Sequence, residues 1–173
     1  MNTTLPERIV TATLDSPVGP LLVGGTDEGV CLLEFAEPAR QQGQLAALGR
    51  YLGGTAEPGR NDNIDRLAEE LTDYFAARRR DFTVPLVPSG TPFQRRVWQQ
   101  LMRIPYGQTC SYEDIGRAIG VPTGSRAVGA ANGQNRIAIV IPCHRVINKG
   151  GGLGGYGGGL WRKEFLLDLE RRG

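Results

Sequence analysis

Residues 139–147 have the sequence Ile-Val-Ile-Pro-Cys-His-Arg-Val-Ile. A run of β-branched apolar residues is typical of a buried strand. Pro142 has no N–H to donate to a sheet, so we expect the strand to break there and to turn Cys143 and His144 out of regular pairing. His144 is the chain's only histidine, and Cys143 is one of three cysteines. The break would therefore place two chemically reactive side chains, Cys143 and His144, outside the sheet.

A cysteine beside a histidine favours nucleophilic chemistry. The thiolate is the reactive form of cysteine, and a nearby imidazole or helix N-terminus lowers its pKa from about 8.5 towards neutrality. The competing interpretation is a buried, inert cysteine next to an unrelated histidine.

The composition limits the classes of protein to which the chain can belong. The 173 residues are 40% hydrophobic, which is enough for a substantial core in one or two small domains. No stretch approaches about 18 apolar residues, and the N-terminus lacks the basic and apolar regions of a signal peptide, so we expect a soluble, cytoplasmic protein. The three cysteines, Cys31, Cys110 and Cys143, are odd in number and far apart, unlike a disulfide framework.

The net charge of +2 hides an asymmetry between the two halves of the chain. Residues 1–88 hold 8 Lys/Arg and 13 Asp/Glu, a balance of −5, and residues 89–173 hold 12 and 5, a balance of +7. A basic half that carries the reactive cysteine suggests a polyanionic partner, with nucleic acid as the first candidate. The alternative is that these charges only solvate a small domain.

Residues 1–88 are expected to form an N-terminal α/β domain with a small antiparallel sheet. Short β-type runs are separated by turn sequences, and a well-capped amphipathic helix follows them. The predicted elements are strands at 8–14, 21–25, 30–35 and 81–86, a helix at 38–52, a helix with its apolar stripe from Ile64 to Phe75 behind the cap Asn61-Asp62-Asn63, and a loop at 53–63.

Residues 89–173 are expected to form a mostly helical C-terminal domain. Thr91-Pro92-Phe93-Gln94 is a complete helix-start signature, and the apolar stripe behind it belongs to the core. Ser111 caps a short helix that ends near Ile119, and a second short helix covers 125–132. Two short helices around a glycine-containing turn predict a helix-turn-helix.

The second of these helices carries Arg126 followed almost entirely by small residues. Small residues let a backbone approach a groove closely, but a long side chain for major-groove base recognition is lacking.

Glycine-rich sequence follows the Pro-Cys-His stretch. We predict a turn or wing at 149–153 and a second loop at 154–159, which lacks the lysine of a phosphate-binding P-loop and more plausibly forms a wall against a flat ligand. The chain then has a C-terminal amphipathic helix with Glu170 at the edge of its buried stripe, for which the predicted buried residues are Trp161, Phe165, Leu166 and Leu169.

Taken together, these motifs resemble the O6-alkylguanine-DNA alkyltransferases, single-use repair proteins that move an alkyl group from guanine O6 to their own cysteine. The resemblance implies an α+β fold, with a winged helix-turn-helix in the second domain. The matching motifs cover most of the chain and are Asp15–Gly19, Gly90–Gln94, Val97-Trp98, Ile104–Gly107, Ser111-Tyr112, Arg126–Gly129, Pro142–Val146, Gly155–Gly159, Lys163 and Glu170.

The resemblance also implies a role for each catalytic residue. Cys143 would accept the alkyl group, His144 would relay its proton through a water, and Glu170 would orient and charge His144. Asn135 matches the hinge between the helix and the active-site strand. Tyr112 matches the residue that pushes the 3′ phosphate and donates to the departing guanine oxygen.

The implied partner is duplex DNA that contains O6-alkylguanine, with thymine O4 as a second candidate position. A monomer would bind in the minor groove without cofactor or metal, and Arg126 would fill the space left by the flipped base. The implied DNA-binding residues are Ser111, Tyr112, Arg126, Ala127, Gly129 and Ala130, and the implied substrate-binding residues are Cys143, Val146, Tyr156, Gly157 and Gly158.

The chain departs from the family pattern at two places. Asn135 is followed by Arg136 where the family has proline, which predicts a less rigid hinge and an additional cation near the DNA. The first half has no histidine, so the structural zinc of some members is not expected.

Two other functions compete with alkyl transfer. A non-catalytic lesion recogniser of the same fold would have the cysteine replaced, and Cys143 is present. A Cys-His hydrolase would have a catalytic pair widely separated in the sequence.

Overall fold

The computed structural model describes residues 7–173, so the start of the predicted N-terminal domain lies outside the described residues. The first three strands, β1 (Ile9–Leu14), β2 (Leu21–Gly25) and β3 (Val30–Phe35), form an antiparallel meander. Each is confirmed within one residue of its predicted bounds. β3 is buried along its whole length, although it is at one edge of the sheet.

A fourth strand corrects the predicted loop at 53–63. β4 (Ala56–Pro58) pairs in parallel with β1, so the strand order is β3-β2-β1-β4 and the sheet is mixed rather than antiparallel. All three residues of β4 are exposed. The strand therefore lacks the alternation of apolar and polar residues from which it could have been predicted.

The strand predicted at 81–86 is wrong. A single bridge joins Leu86 to Val30 of β3. The Val84 N–H donates to the Glu70 carboxylate (2.7 Å) instead of to a neighbouring strand. Only Val84 of this segment is fully buried, and only its end, at Pro85 to Val87, hydrogen-bonds to Val30 of β3.

The predicted helix starts are present. Asn61 accepts a hydrogen bond from an N–H of the first turn it caps, and Thr91 with Gln94 and Ser111 with Asp114 form capping boxes. The α-helices of the described residues are α1 (Pro38–Leu52), α2 (Asp62–Phe75), α3 (Pro92–Leu101), α4 (Tyr112–Ala118), α5 (Ser125–Gly133) and α6 (Leu160–Arg172).

The apolar run before Pro142 is buried but is not the predicted strand. Residues 137–141 form tight turns, in which the Val140 N–H donates to the Ala138 carbonyl (2.8 Å) and Ile139 has a φ of +70°. A β-branched residue in the left-handed region is strained by about 1–3 kcal/mol. The surrounding packing must hold this turn in place.

The predicted break at Pro142 does occur. A 3-10 helix at Cys143–Arg145 follows the proline, and the two-residue strand β6 (Val146–Ile147) then pairs in parallel with β5 (Cys110–Ser111). Cys143 and His144 thus lie outside any ladder, as the sequence predicts.

The segment before the cysteine packs on the N-terminal sheet. The Leu33 N–H of β3 donates to the Arg136 carbonyl, and the Ala138 N–H donates back to the Leu33 carbonyl, both at 2.9 Å. One continuous apolar core then contains residues of both halves. The sheet therefore supports the turn that carries the reactive cysteine.

One predicted side-chain position is wrong, that of Trp161, and Arg136 is buried. Arg136 is only 4% exposed, and its guanidinium donates to the Ser89 carbonyl (2.6 Å) and to Gln44 Oε1 (2.7 Å), so its place as an additional cation near the DNA stays a prediction. Trp161 is 54% exposed, because the inward face of α6 is occupied by Arg162 and other polar residues. Within residues 7–173, no helix combines the length and apolar content needed to cross a bilayer.

Candidate active site

Cys143 lines a cavity of about 350 Å³. The loop Gly155–Gly158 forms one wall, and residues from the end of α5 and the following turn, including Asn135, form another. Glu34, Phe35 and Arg40 of the first half also line it. The predicted residues that the cavity brings together are Tyr112, Gly129, Asn135, Cys143, Tyr156, Gly157 and Gly158.

Glu170 lies at the centre of a buried cluster. His144 Nε2 is 2.7 Å from Glu170 Oε2, and His144 is fully buried. Arg145 Nε donates to Glu170 Oε1 (2.7 Å), and the Tyr74 hydroxyl donates to Glu170 Oε2 (2.6 Å). Three donors from two segments of the chain, the Cys143–Arg145 turn and α2, thus fix one carboxylate.

The environment keeps Glu170 ionised. Burial alone would raise its pKa, but the hydrogen bonds from His144 and Arg145 outweigh burial and hold the pKa well below the usual range. Because an ionised carboxylate only accepts hydrogen bonds, His144 Nε2 must carry the proton between them.

His144 Nδ1 is buried and has no hydrogen-bond partner among the residues that the structure describes. Burial lowers the pKa of His144, and the hydrogen bond to Glu170 opposes that effect. The imidazole is therefore neutral near pH 7, with the lone pair of Nδ1 free to accept a proton.

The Cys143 thiol is buried, and burial raises its pKa above the ordinary 9.0. The Asn135 amide and the Tyr156 hydroxyl lower it, and the negative charge of Glu34 adds to the rise. The resting group is a thiol at neutral pH. Nucleophilic attack therefore requires a base to remove its proton.

Asn135 stabilises the turn that precedes the cysteine. Its Oδ1 accepts from the Ile137 N–H (3.0 Å), and its Nδ2 donates to the Ile141 carbonyl (2.8 Å). Both ends of the turn are therefore tied to one side chain, and the role of Asn135 as a hinge stays a prediction. Asn132 adds a longer contact to the Cys143 carbonyl (3.4 Å).

Two glycines of the loop wall, Gly157 and Gly158, pack closely against the first half of the chain. A Cβ at Gly157 would collide with the Arg40 guanidinium, and a Cβ at Gly158 would collide with the Phe35 ring. Tyr156 packs edge-on against the same Phe35 ring, with 5.7 Å between centroids. The first half of the chain therefore sets the position of this wall.

Lys163 holds the loop from behind. Its buried ammonium donates to the carbonyls of Val146 (2.7 Å), Leu153 and Gly155 (3.2 Å). Burial lowers the pKa of Lys163 to about 8. Val146 does not line the cavity, so its predicted substrate contact stays a prediction.

α5 presents an exposed face of small residues. Arg126, Ala127 and Ala130 are exposed, and Gly129 is half-buried. Arg126 makes no hydrogen bond or ion pair with any residue from 7 to 173. Its side chain is therefore available to a partner at this surface.

The two remaining predicted residues lie at the start of α4. Tyr112 is half-buried and lines the cavity, and the space beside Gly154 is filled by its hydroxyl. Ser111 is nearly buried, and its hydroxyl accepts from the Asp114 N–H (3.0 Å) as a helix cap. A DNA contact by Ser111 stays a prediction.

Several functional side chains were not predicted. A sequence signal existed for Glu34, since it is a charged residue inside an otherwise apolar strand. Tyr74 was assigned only to an apolar stripe, and its contact with Glu170 joins residues 96 positions apart. Within the described residues, no three His, Cys, Asp or Glu side chains are grouped as a metal site.

Two family models match the chain. The first half, residues 9–88, matches the ribonuclease-like domain of 6-O-methylguanine DNA methyltransferase. The second half, residues 92–172, matches the DNA binding domain of 6-O-methylguanine DNA methyltransferase.

Relatives and solved structures match over nearly the whole length. The methylated-DNA–protein-cysteine methyltransferase of Mycobacterium tuberculosis (strain ATCC 25618 / H37Rv) is 43% identical over 159 residues, which are 92% of this chain and 90% of the relative. The protein of the same name from Methanosarcina acetivorans is 42% identical and covers 92% and 96%. The crystal structure of M. tuberculosis OGT in complex with DNA superposes with a TM-score of 0.78, at 42% identity and 95% and 93% coverage.

Proposed function

We propose that this chain, which belongs to the 6-O-methylguanine DNA methyltransferase family, repairs DNA by moving an alkyl group from guanine O6 to its own Cys143. The transfer is a single irreversible event for each protein molecule, because a thioether has no hydrolytic route back to the thiol in this site. The protein is thus a methylated-DNA–protein-cysteine S-methyltransferase.

The chemical step is a displacement at a saturated carbon. The Cys143 proton passes to His144 Nδ1 through a water, and the sulfur attacks the alkyl carbon of the lesion. The S–C bond forms while the C–O6 bond breaks, and the electron pair of that bond moves to guanine. Tyr112 donates a hydrogen bond to the departing oxygen. The guanine anion then takes a proton from water in place of the alkyl group, and His144 releases the thiol proton to water.

One observation carries this proposal: the open Nδ1 of a buried histidine adjacent to a cavity-lining cysteine. Accepting the thiol proton makes His144 a cation in a buried site, which is costly without a counter-charge. Glu170 supplies that charge at 2.7 Å and is held ionised by Arg145. The arrangement stabilises the ion pair that thiolate formation creates.

The lesion must leave the base stack to reach Cys143. We propose that the exposed face of α5 enters the minor groove and that Arg126 occupies the space of the flipped base, since it is the one long side chain on that face. A relative solved in complex with DNA supports the same partner here. We propose further that the protein acts as a monomer in the cytoplasm, divided after residue 88 into two domains.

The test uses a duplex with a single O6-methylguanine, and its loss is measured as protein is titrated in. We expect lesion loss to stop at one equivalent of protein, and Cys143→Ala to bind the duplex but remove nothing. Removal of many lesions per protein molecule would reject single use. If Cys143→Ala still removed the lesion, Cys143 would be rejected as the alkyl acceptor. If the wild type bound the duplex but removed no lesion, the protein would be a lesion recogniser.

A further inference from the structure

A second cavity, of about 370 Å³, lies beside the first. Arg40 lines both cavities, and the last residue of α5, Gly133, lines the first while the next residue, Gln134, lines the second. The second cavity is rich in hydrogen-bond donors, with three guanidinium groups (Arg40, Arg50 and Arg136) and the side-chain amides of Gln94 and Gln134. No carboxylate of the described residues lines it.

Arg136 brings a buried positive charge to this cavity without a carboxylate partner. Its acceptors, the Ser89 carbonyl and Gln44 Oε1, are neutral. The rings of Tyr51 and Trp98 lie 5.4 and 5.7 Å from its guanidinium carbon. Burial lowers the pKa of Arg136, the Tyr51 hydroxyl opposes that effect, and the like charge of Arg50 adds to the lowering. The site as it stands therefore favours the arrival of negative charge.

The charges around the cavity do not balance. Arg40 pairs with Glu34 at 3.1 Å, and Arg40 Nε is buried with no partner among residues 7–173. Arg50 is exposed on the last turn of α1, and neither it nor Arg136 makes a salt bridge with any described residue. Three guanidinium groups thus share one nearby carboxylate.

We propose that this second cavity is a binding site for a phosphate oxyanion. Guanidinium groups present paired N–H donors that match phosphate oxygens, and a partly buried site strengthens such charge-assisted hydrogen bonds. The phosphate has two possible sources, a phosphodiester of bound DNA or free phosphate. The DNA source rests on the proposed function, and the free-phosphate source does not.

The location is suited to a DNA phosphodiester. Gln134 directly follows α5, whose exposed face is the proposed DNA contact, and Gln94 is in the first turn of α3. A strand that passes the C-terminal end of α5 while its base enters the first cavity would present its backbone to Arg50 and Arg136. This contact would position DNA without reading its sequence.

Arg50→Gln is the informative variant, because Arg50 is exposed and its loss leaves the buried contacts of Arg136 in place. Arg60→Gln is the matched control, since Arg60 lies in the same half, pairs with Asp65 at 2.8 Å and does not line the cavity. In the first arm, thermal unfolding is followed with inorganic phosphate against chloride at equal ionic strength. We expect phosphate to stabilise the wild type and Arg60→Gln, with an affinity about tenfold weaker for Arg50→Gln.

In the second arm, binding of unmodified duplex is measured against salt. If the site takes a phosphodiester, the slope of log K against log salt should fall by about 0.9 for Arg50→Gln relative to Arg60→Gln. If Arg50→Gln, but not Arg60→Gln, weakens phosphate binding and leaves the salt dependence of DNA binding unchanged, the site is assigned to free phosphate. If Arg50→Gln, but not Arg60→Gln, lowers the salt dependence of DNA binding, the site is assigned to DNA. Equal behaviour of the two variants in both arms would overturn the proposal. Neither arm requires alkyl transfer, so failure of the proposed function would be seen separately.

Discussion

The Tyr74 hydroxyl donates a 2.6 Å hydrogen bond to Glu170 Oε2, the same oxygen that contacts His144. Tyr74 lies in α2 of the first half, so the side chains that hold Glu170 come from both halves of the chain. Tyr74→Phe removes one of several donors to a charged acceptor and should lower the free energy of unfolding by about 1.5 kcal/mol.

The rate of alkyl transfer separates this supporting role from a direct one. Tyr74→Phe should slow single-turnover transfer less than tenfold, since Arg145 still holds Glu170. Glu170→Gln should slow it by about 10²–10⁴, with DNA affinity nearly unchanged. Denaturant unfolding and quenched-flow rates measure both effects. A rate for Tyr74→Phe as slow as that for Glu170→Gln would show that Arg145 does not fix the carboxylate.

The pH dependence of transfer follows from the directions of two pKa shifts. The pKa of His144 is below its ordinary 6.5, so the imidazole stays neutral and able to accept a proton down to that lowered value. The wild-type rate should therefore remain level through pH 7 and fall only below about 6.5. Single-turnover rates from pH 5 to 9 test this, and an acid limb centred above 6.5 would contradict it.

Without the histidine, the pH dependence of the transfer rate should follow the ionisation of the Cys143 thiol. The pKa of Cys143 is raised above 9.0, so without a base its thiolate fraction increases about tenfold for each pH unit up to that value. His144→Gln should show this continuous rise and a rate about 10²–10⁴ below the wild type at pH 7. A flat profile for the variant would mean that another group removes the proton.

The loop wall offers a matched pair of glycine substitutions. A Cβ at Gly158 would strike the Phe35 ring, whereas a Cβ at Gly155 meets no atom within 4 Å. Gly158→Ala should lower the free energy of unfolding by about 1–3 kcal/mol, because the aromatic ring or the loop must move, and Gly155→Ala should change it little. Equal effects of the two substitutions on urea unfolding would argue against tight packing of this wall.

The role of Arg126 can be separated from the chemistry. Arg126→Ala should slow transfer from duplex DNA at saturating protein, because unstacking the lesion costs a few kcal/mol and the empty space is no longer filled. Free O6-benzylguanine needs no flipping, so its reaction with Cys143 should be almost unchanged. An equal loss on both substrates, or full recovery on duplex at high protein concentration, would reject the assignment.

Local signals in the sequence predicted much of the fold. Caps at Asn61, Thr91 and Ser111 set helix starts through hydrogen bonds within three residues, and the structure has them where the sequence places them. Local signals did not predict the exposed strand β4, and they wrongly predicted a strand at 81–86. Their conformations depend on partners distant in the sequence, which local patterns do not encode.

The residues of the candidate site also divide into those that the sequence predicted and those that it did not. Cys143 and His144 are adjacent in the chain, and a resemblance to a family located Glu170, which lies 26 residues from His144. Tyr74 and Arg40 belong to the first half of the chain, which packs on the turn before Cys143 through β3. The sequence identified Arg136 as an additional cation near the DNA but gave no sign that neutral acceptors and aromatic rings hold its side chain inside.

The most direct test of the account is the mass of Cys143 after reaction. The protein is incubated with duplex DNA that carries one O6-methylguanine, its intact mass is measured, and its peptides are mapped. We predict a gain of one methyl group per protein molecule, located on Cys143 and absent when unmodified duplex is used. A methyl group on Cys31, Cys110 or any other residue, or an unchanged mass while the lesion disappears, would contradict the account.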